Sequence, residues 1–396
     1  MKKAWILFLC LLVNPAQSDD IALAPGSPTT VGMDANVLQQ ANTLIARNVA
    51  DDKLRNVVVL VARRGKIVLH EAHGWKDKDA GIKLRKDALF RIKSNTKPVT
   101  ATGIALLVDR GAIHFADNAS KILPVFGEVE ENPITVHHLL THTSGLKMNQ
   151  WFVEPLMEKS SQYPHAPSLQ LEVNRVVKAG IVGPPGGEFV YSNNGYNALG
   201  AIIEVVSGNP LDKFIQDNIF APLRMQDSYF VETEESLDNK LDRMSVVYYR
   251  TEDRWFRKAR WFEGWRPGDP PVTPFARGSG GMISTAMDYA VFCQMILNGG
   301  IYAGIRVLKP ETVQHMISSQ VAMTKRNKEE YHVDQYGYGF AINTDTGVFG
   351  HGGSDGTRVW IDPANELIVL LFTQSPNGEY SRGNEFYDKV VESIIE

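Results

Sequence analysis

Ser94 and Lys97 stand three residues apart in "RIKSNTKPVTATGIALLVDRG". From Val99 to Val108 the apolar spacing is helical, and Gly111 supplies a stop. Pro98 cannot sit deep inside a helix, so it must lie in the first turn. The helix therefore begins between Ser94 and Lys97, where side chains at i and i+3 share a face. A hydroxyl, an amine one turn away and the positive end of the helix dipole would converge there. Such a group suits nucleophilic catalysis: the amine takes or relays the hydroxyl proton, and the dipole favours developing negative charge. Taken alone the pair is weak, because Ser is a common N-cap and Lys a common surface residue.

A second serine competes for the role. "GHGGSDGTRVWID" contains a G-x-S-x-G match centred on Ser354. A nucleophile elbow needs a helix after the serine and an Asp and a His further along the chain. The chain instead continues through "TRVWID", a "PAN" turn and "ELIVLLFTQ", which is a β-hairpin pattern, and no histidine occurs after His351. Ser354 is therefore not the nucleophile. Two further pieces accompany Ser94. Tyr191-Ser192-Asn193 precedes a new helix in "GEFVYSNNGYNALGAIIEVVSG", and His351-Gly352-Gly353 ends a strand. A tyrosine and an asparagine two apart on a loop can both enter one cleft; a solvated turn with a cap at Asn193 or Asn194 is the alternative.

The elements that must position these residues come from both chain ends. "DANVLQQANTLIARNVADD" has helical spacing at Leu38, Ala41, Leu44 and Ile45. "NVVVLVARRGKIVLHEAHG" is two strand-like runs around an Arg-Arg-Gly-Lys turn, hence a hairpin, with His70 and His73 expected on an exposed edge. The other strand-rich part runs from about Tyr336 to Gln374, and Phe386, Val390 and Ile394 form one face of a closing helix. The expected class is α+β: an antiparallel sheet built from both ends and flanked by helices, with a mostly helical lobe inserted between them. The expected boundaries are a signal segment at 1–18, a linker at 19–30, a sheet lobe at about 31–92 and 275–396, and a helical lobe at about 93–274.

With these motifs in place, the chain resembles the serine hydrolases related to class C β-lactamases, D-Ala-D-Ala carboxypeptidases and β-lactamase-like esterases. Ser94-Asn95-Thr96-Lys97 matches their S-x-x-K and Tyr191-Ser192-Asn193 their Y-x-N. His351-Gly352-Gly353 falls where they carry K-T-G or H-x-G. "ITVHHLLTHTSGL", "IFAPLRMQDSYF" and "GSGGMISTAMDYAVFCQMILNGG" are similar as well, and the likeness runs from about residue 30 to the end. The resemblance implies a penicillin-binding-protein-like fold, no cofactor, no metal and an acyl-enzyme on Ser94. Lys97 and Tyr191 would move the serine proton, and Asn193 would bond Lys97 and substrate. Gly353 would close the H-x-G and Ser354 would follow it, with the Ser354 N–H completing an oxyanion hole beside the Ser94 N–H. Lys97 and Tyr191 both titrate near 10 in isolation, so one must fall by about 3 pH units, roughly 4 kcal/mol of differential stabilisation. Two cationic neighbours favour Tyr191 as the base, with Lys97 protonated. The reverse assignment stays open because the pair is coupled.

Composition narrows the partners. A net charge of −4 argues against nucleic acid and anionic membranes, and neither a phosphate-binding loop nor a dinucleotide fingerprint occurs. "MKKAWILFLCLLVNPAQS" reads as a secretory signal cut after Ser18, its apolar run being too short to span a bilayer. Export to the periplasm or medium would leave Cys293 as the single thiol, with no stable membrane span. Within an apolar run, that thiol is expected to be buried and inert. His137, His138 and His142 lack zinc-protease spacing and read as structural. The aromatics Trp255, Phe256, Trp261, Phe262 and Trp265 either line an acyl-binding rim or pack their segment onto the body. With His351 in place of a lysine and no hydroxyl at Gly352, a substrate carboxylate finds a weaker grip. The expected substrate is a small to medium ester, which makes the protein a carboxylesterase. The alternatives are a β-lactamase or D,D-carboxypeptidase, and, from another class, a non-catalytic penicillin-sensing module.

Overall fold

The two β-branched runs near the N-terminus form strands β1 (Asn56–Arg63) and β2 (Lys66–Asp77), joined at Arg64-Gly65. Both turn residues have positive φ, 49° and 73°, as a two-residue hairpin turn requires. From the far end of the chain come β3 (Phe349–Gly352), β4 (Arg358–Asp362) and β5 (Leu367–Phe372). β5 pairs antiparallel with β1, Leu370 opposite Leu60, so the chain ends meet in the middle of one sheet. The order is Ala24–Pro25, β2, β1, β5, β4, β3, Ala341–Ile342, Gln335–Tyr336 and Val321–Ala322, with Ile82–Lys83 also beside β2. The computed structural model describes residues 21–128, 133–146, 168–230, 240–251, 254–257, 275–324, 332–376 and 383–395. The expected signal segment lies outside them.

Period-2 alternation divides the central strands between two cores. Val58, Leu60, Ala62, Ile368, Leu370 and Phe372 face one side. Val57, Val59, Val61, Leu367, Val369 and Leu371 face the other. On that second side helix α1 (Ala35–Ala50) contributes Leu38, Ala41 and Ile45, and the closing helix α6 (Asn384–Glu392) contributes Phe386 and Val390. Asp34 caps α1 by accepting from the Asn36 and Val37 amides.

On the first side lie α2 (Thr96–Asp109), α3 (Leu169–Lys178), α4 (Asn193–Ser207) and α5 (Ala286–Leu297). α2 is buried from Thr96 to Leu107, the behaviour of a helix apolar on every face. One continuous core runs from Phe372 through Ile104 to Leu199. Each such aliphatic side chain contributes about 1.5–3 kcal/mol of burial. Cys293 sits in α5, fully enclosed, and burial raises its thiol pKa well above the usual value.

Three features depart from the sequence expectations. Ala24–Pro25, inside the expected linker, docks parallel to β2 and makes the sheet mixed, because α1 provides the crossover that a parallel neighbour needs. His70 and His73 are half-buried, not on an exposed edge: α1 packs over this strand and the His73 ring meets Asn42 Oδ1 at 2.7 Å. Trp255 packs onto the body, its Nε1 donating to Asp52 O at 2.8 Å and Arg55 lying 5.4 Å from its ring centre. Phe256 is 39% exposed, and Trp261, Phe262 and Trp265 lie outside the described residues. Among the described residues no helix is long and apolar enough to cross a membrane.

Candidate active site

A single 3₁₀ turn, Lys93–Asn95, leads into α2, so Ser94 stands at the helix mouth with Pro98 in the first turn. Ser94 is half-buried, whereas Lys97 is fully buried. Lys97 Nζ reaches three oxygens: Ser94 Oγ at 3.2 Å, Asn193 Oδ1 at 2.8 Å and Ser279 O at 2.7 Å. Two of these, the amide and peptide carbonyls, can only accept. A neutral amine would give its two N–H groups to them and turn its lone pair toward the Ser94 hydroxyl. Burial alone pulls the Lys97 pKa well below its ordinary value, and among the described residues no carboxylate opposes the effect.

Each acceptor is itself fixed. Asn193 starts α4, and Asn197, one turn further on, accepts from the Ser279 amide at 3.2 Å. Asn197 Nδ2 donates to Glu172 on α3 at 2.9 Å. Glu172 and Arg277 form a buried bidentate pair, Nε and Nη2 at 3.0 and 2.7 Å from Oε2 and Nε at 3.3 Å from Oε1. The backbone at 277–279 is thereby tied to two helices before it meets Lys97.

Tyr191 lies just ahead of α4, its phenol within hydrogen-bonding reach of Ser94. Lys97 Nζ is 4.7 Å from its ring centre. Burial pushes the Tyr191 phenol above its usual pKa, and the bond with Ser94 offsets only part of the rise. Burial thus works against the expected preference for Tyr191 as base: it favours the protonated phenol and the neutral amine. His351 Nδ1 donates to Gly352 O at 2.8 Å, and burial above all lowers its pKa to about 3.

A cleft of about 810 Å³ opens over these groups, lined by Ser94, Tyr191, His351 and Ser354, with Phe189 and Tyr336 as apolar walls. Gly353 is buried and Ser354 exposed at the tip of the turn between β3 and β4. The structure thus gathers Ser94, Lys97, Tyr191, Asn193, His351, Gly353 and Ser354 around one space. Sequence reasoning missed Arg358 and the Ser279 carbonyl here, and its structural reading of His142 named no partner. His142, placed among structural histidines, is fully buried with its ring 4.4 Å from that of Tyr191, and its Nδ1 accepts from the Ser192 amide at 3.0 Å. It therefore braces the tyrosine loop. His137 and His138 instead serve the Tyr338 hydroxyl and the cap at Thr135. Arg358, directly opposite Gly352 in the sheet, lays its guanidinium where a side chain at 352 would stand, 1.8 Å from an ideal Cβ. Ser279 belongs to the "GSGGMISTAMDYAVFCQMILNGG" segment, but nothing local marks a carbonyl as a partner for Lys97.

Comparison with known proteins gives the family and the fold. A Beta-lactamase family model matches residues 41–392. "Esterase EstB" of Burkholderia gladioli is 30% identical over 56% of this chain and 57% of its own length. A "Putative D-alanyl-D-alanine carboxypeptidase" of Escherichia coli is 25% identical over 95% and 91%. Among solved structures, "EstCE1, a hydrolase with promiscuous acyltransferase activity" superposes with a TM-score of 0.74 at 20% identity, covering 91% of this chain and 99% of its own, a likeness of fold. The octameric penicillin-binding protein homologue of Pyrococcus abyssi gives 0.70 at 23% identity over 90% and 79%. The chain belongs to the Beta-lactamase family, whose members are serine hydrolases.

Proposed function

We propose that the protein is a carboxylesterase working through a Ser94 acyl-enzyme. The observation that carries this reading is the buried Lys97, whose amine lies 3.2 Å from Ser94 Oγ while two carbonyls accept from it on other sides. Lys97 takes the Ser94 proton as Oγ bonds to the ester carbonyl carbon. The Ser94 and Ser354 amides hold the resulting oxyanion, and Tyr191, still protonated, donates to the departing alkoxide and recovers a proton from Lys97. Water then enters by the reverse relay and releases the acid. A neutral His351 and the apolar walls Phe189 and Tyr336 support an uncharged ester as substrate. The name of the Burkholderia relative points the same way.

The test is labelling with a fluorophosphonate and mapping of the modified peptide, alongside p-nitrophenyl ester turnover. Label is expected on Ser94. Ser94→Ala should abolish both signals, and Ser354→Ala should keep most of the activity. Label on Ser354 would end the proposal.

Arg358 favours a second reading, hydrolysis of a carboxylate-bearing β-lactam or peptide, because its guanidinium stands over Gly352 beside the cleft. Chromogenic cephalosporin and D-Ala-D-Ala release assays separate the two. A non-catalytic sensing module has no physical need for Ser94, Lys97 and Tyr191 together. Export through cleavage after Ser18 belongs to the same proposal, and N-terminal sequencing of the mature protein tests it.

A further inference from the structure

The two backbone donors assigned to the oxyanion belong to segments far apart in the chain. Ser94 N–H comes from the mouth of α2 and Ser354 N–H from the β3–β4 turn, so contacts across that seam must set the space between them. The Thr357 side chain spans it with directed hydrogen bonds. Thr357 is fully buried and does not line the cleft. Its hydroxyl donates to Ile92 O at 3.1 Å and accepts from Asn95 Nδ2 at 2.9 Å. Ile92 and Asn95 bracket Lys93-Ser94, so one oxygen holds both ends of the nucleophile segment.

On its own side Thr357 closes the turn. Gly353 N donates to Thr357 O at 2.7 Å, and Gly356 N donates to Gly353 O at 2.9 Å, which leaves Ser354 at the tip. The two segments touch so closely that a Cβ on Gly353 would stand 2.3 Å from Ile92 O and 2.2 Å from Thr357 Oγ1. Two more observations show that this seam is under constraint. Lys93, immediately before the nucleophile, adopts φ 51°, a left-handed conformation that a lysine keeps only when its neighbours impose it. The buried Asp355 carboxylate lies 3.4 Å from Arg91 Nη2 and 3.7 Å from Lys93 Nζ across the same line, attraction without fine direction. Tyr289, on α5, anchors Asn95 from beneath by donating to its carbonyl at 2.8 Å.

We propose that Thr357 is the positioning residue of the oxyanion site: its hydroxyl staples the turn carrying Ser354 to the segment carrying Ser94, and so sets the spacing of the two amides. The inference rests on the reading of those amides as the oxyanion donors. Without the hydroxyl the seam stays packed, but the backbone at Lys93 can relax and the Ser94 amide drifts from its partner. Substrate binding would survive and charge stabilisation in the transition state would not.

Thr357→Val keeps the shape and removes the hydroxyl, while Thr357→Ser keeps the hydroxyl. Both are compared with wild type on a p-nitrophenyl ester and on its thiono analogue, whose C=S sulfur accepts hydrogen bonds poorly. On the oxo ester, Thr357→Val should lower kcat by about 10- to 100-fold. KM should change less than about twofold, and the preference for oxo over thiono should shrink by a similar factor to kcat. Thr357→Ser should restore kcat and the preference. Equal losses on both esters would mean a merely structural role and overturn the staple, as would an unaffected Thr357→Val. A wild type that turns over both esters equally would remove the oxyanion reading itself, and the staple with it. Should Thr357→Val fail to fold, Asn95→Ser removes the partner of the same hydroxyl from the other side and is judged by the same ratio.

Discussion

Replacing Lys97 with methionine turns the protonation state of one buried amine into a measurable slope. Lys97 is wholly enclosed, bonded to three neutral oxygens, and held by burial well below its ordinary pKa. In the unfolded chain the same lysine titrates near 10.4. Between the two values the unfolded protein carries a proton that the folded protein lacks, so wild-type stability rises with pH. Because the folded pKa is the depressed one, this contribution is complete above the ordinary lysine value and is lost as pH falls toward the folded value. The slope is about 1.4 kcal/mol per pH unit. The Lys97→Met variant has no such dependence. The difference in unfolding free energy, wild type minus Lys97→Met, should therefore climb between pH 7 and pH 9, at no more than that slope. Urea unfolding followed by tryptophan fluorescence at several pH values reads it directly. Other groups cancel in the subtraction, including His142 and His351, which burial keeps neutral across this range. A flat difference would mean that Lys97 keeps its proton in the folded state. The amine could not then be the base, and Tyr191 would regain the role.

Three further outcomes are expected. Tyr191→Phe should lower kcat on p-nitrophenyl esters by about 10²-fold or more with little change in KM, because the lost hydroxyl handles a proton; an unchanged kcat would exclude it from the relay. Glu172→Gln removes one partner of the buried pair with Arg277, and chemical denaturation should show a loss of about 3–5 kcal/mol. Gly353→Ala places a methyl 2.3 Å from Ile92 O, a backbone atom that cannot yield cheaply, so ester turnover should fall more than about tenfold and thermal melting should move down.

Most of the scaffold was legible because its signals are local. Pro98 restricts the start of α2 to a few positions, the Arg64-Gly65 turn marks its hairpin, and the β-branched, apolar runs "NVVVLV" and "LIVLLF" read as strands. Spacing along one helix also brings Ser94 and Lys97 together. The strand at Ala24–Pro25 was hidden because two residues carry no periodicity and their pairing depends on what packs beside them. The partners of the catalytic groups were hidden for a related reason. Ser279 serves Lys97 through a carbonyl that every residue possesses, and Thr357 holds the nucleophile segment through one hydroxyl among many.

By itself the sequence determined which groups are present and how near neighbours on one helix or loop can approach: a hydroxyl one turn from an amine, a phenol two residues from an amide, glycines where backbones must touch. Only the tertiary structure decided which of them holds a proton. Spacing does not state how much water remains around a group. Lys97, Tyr191 and His351 are each shifted chiefly by burial among elements distant in the chain, and that burial works against the order of base and acid that charge alone had suggested.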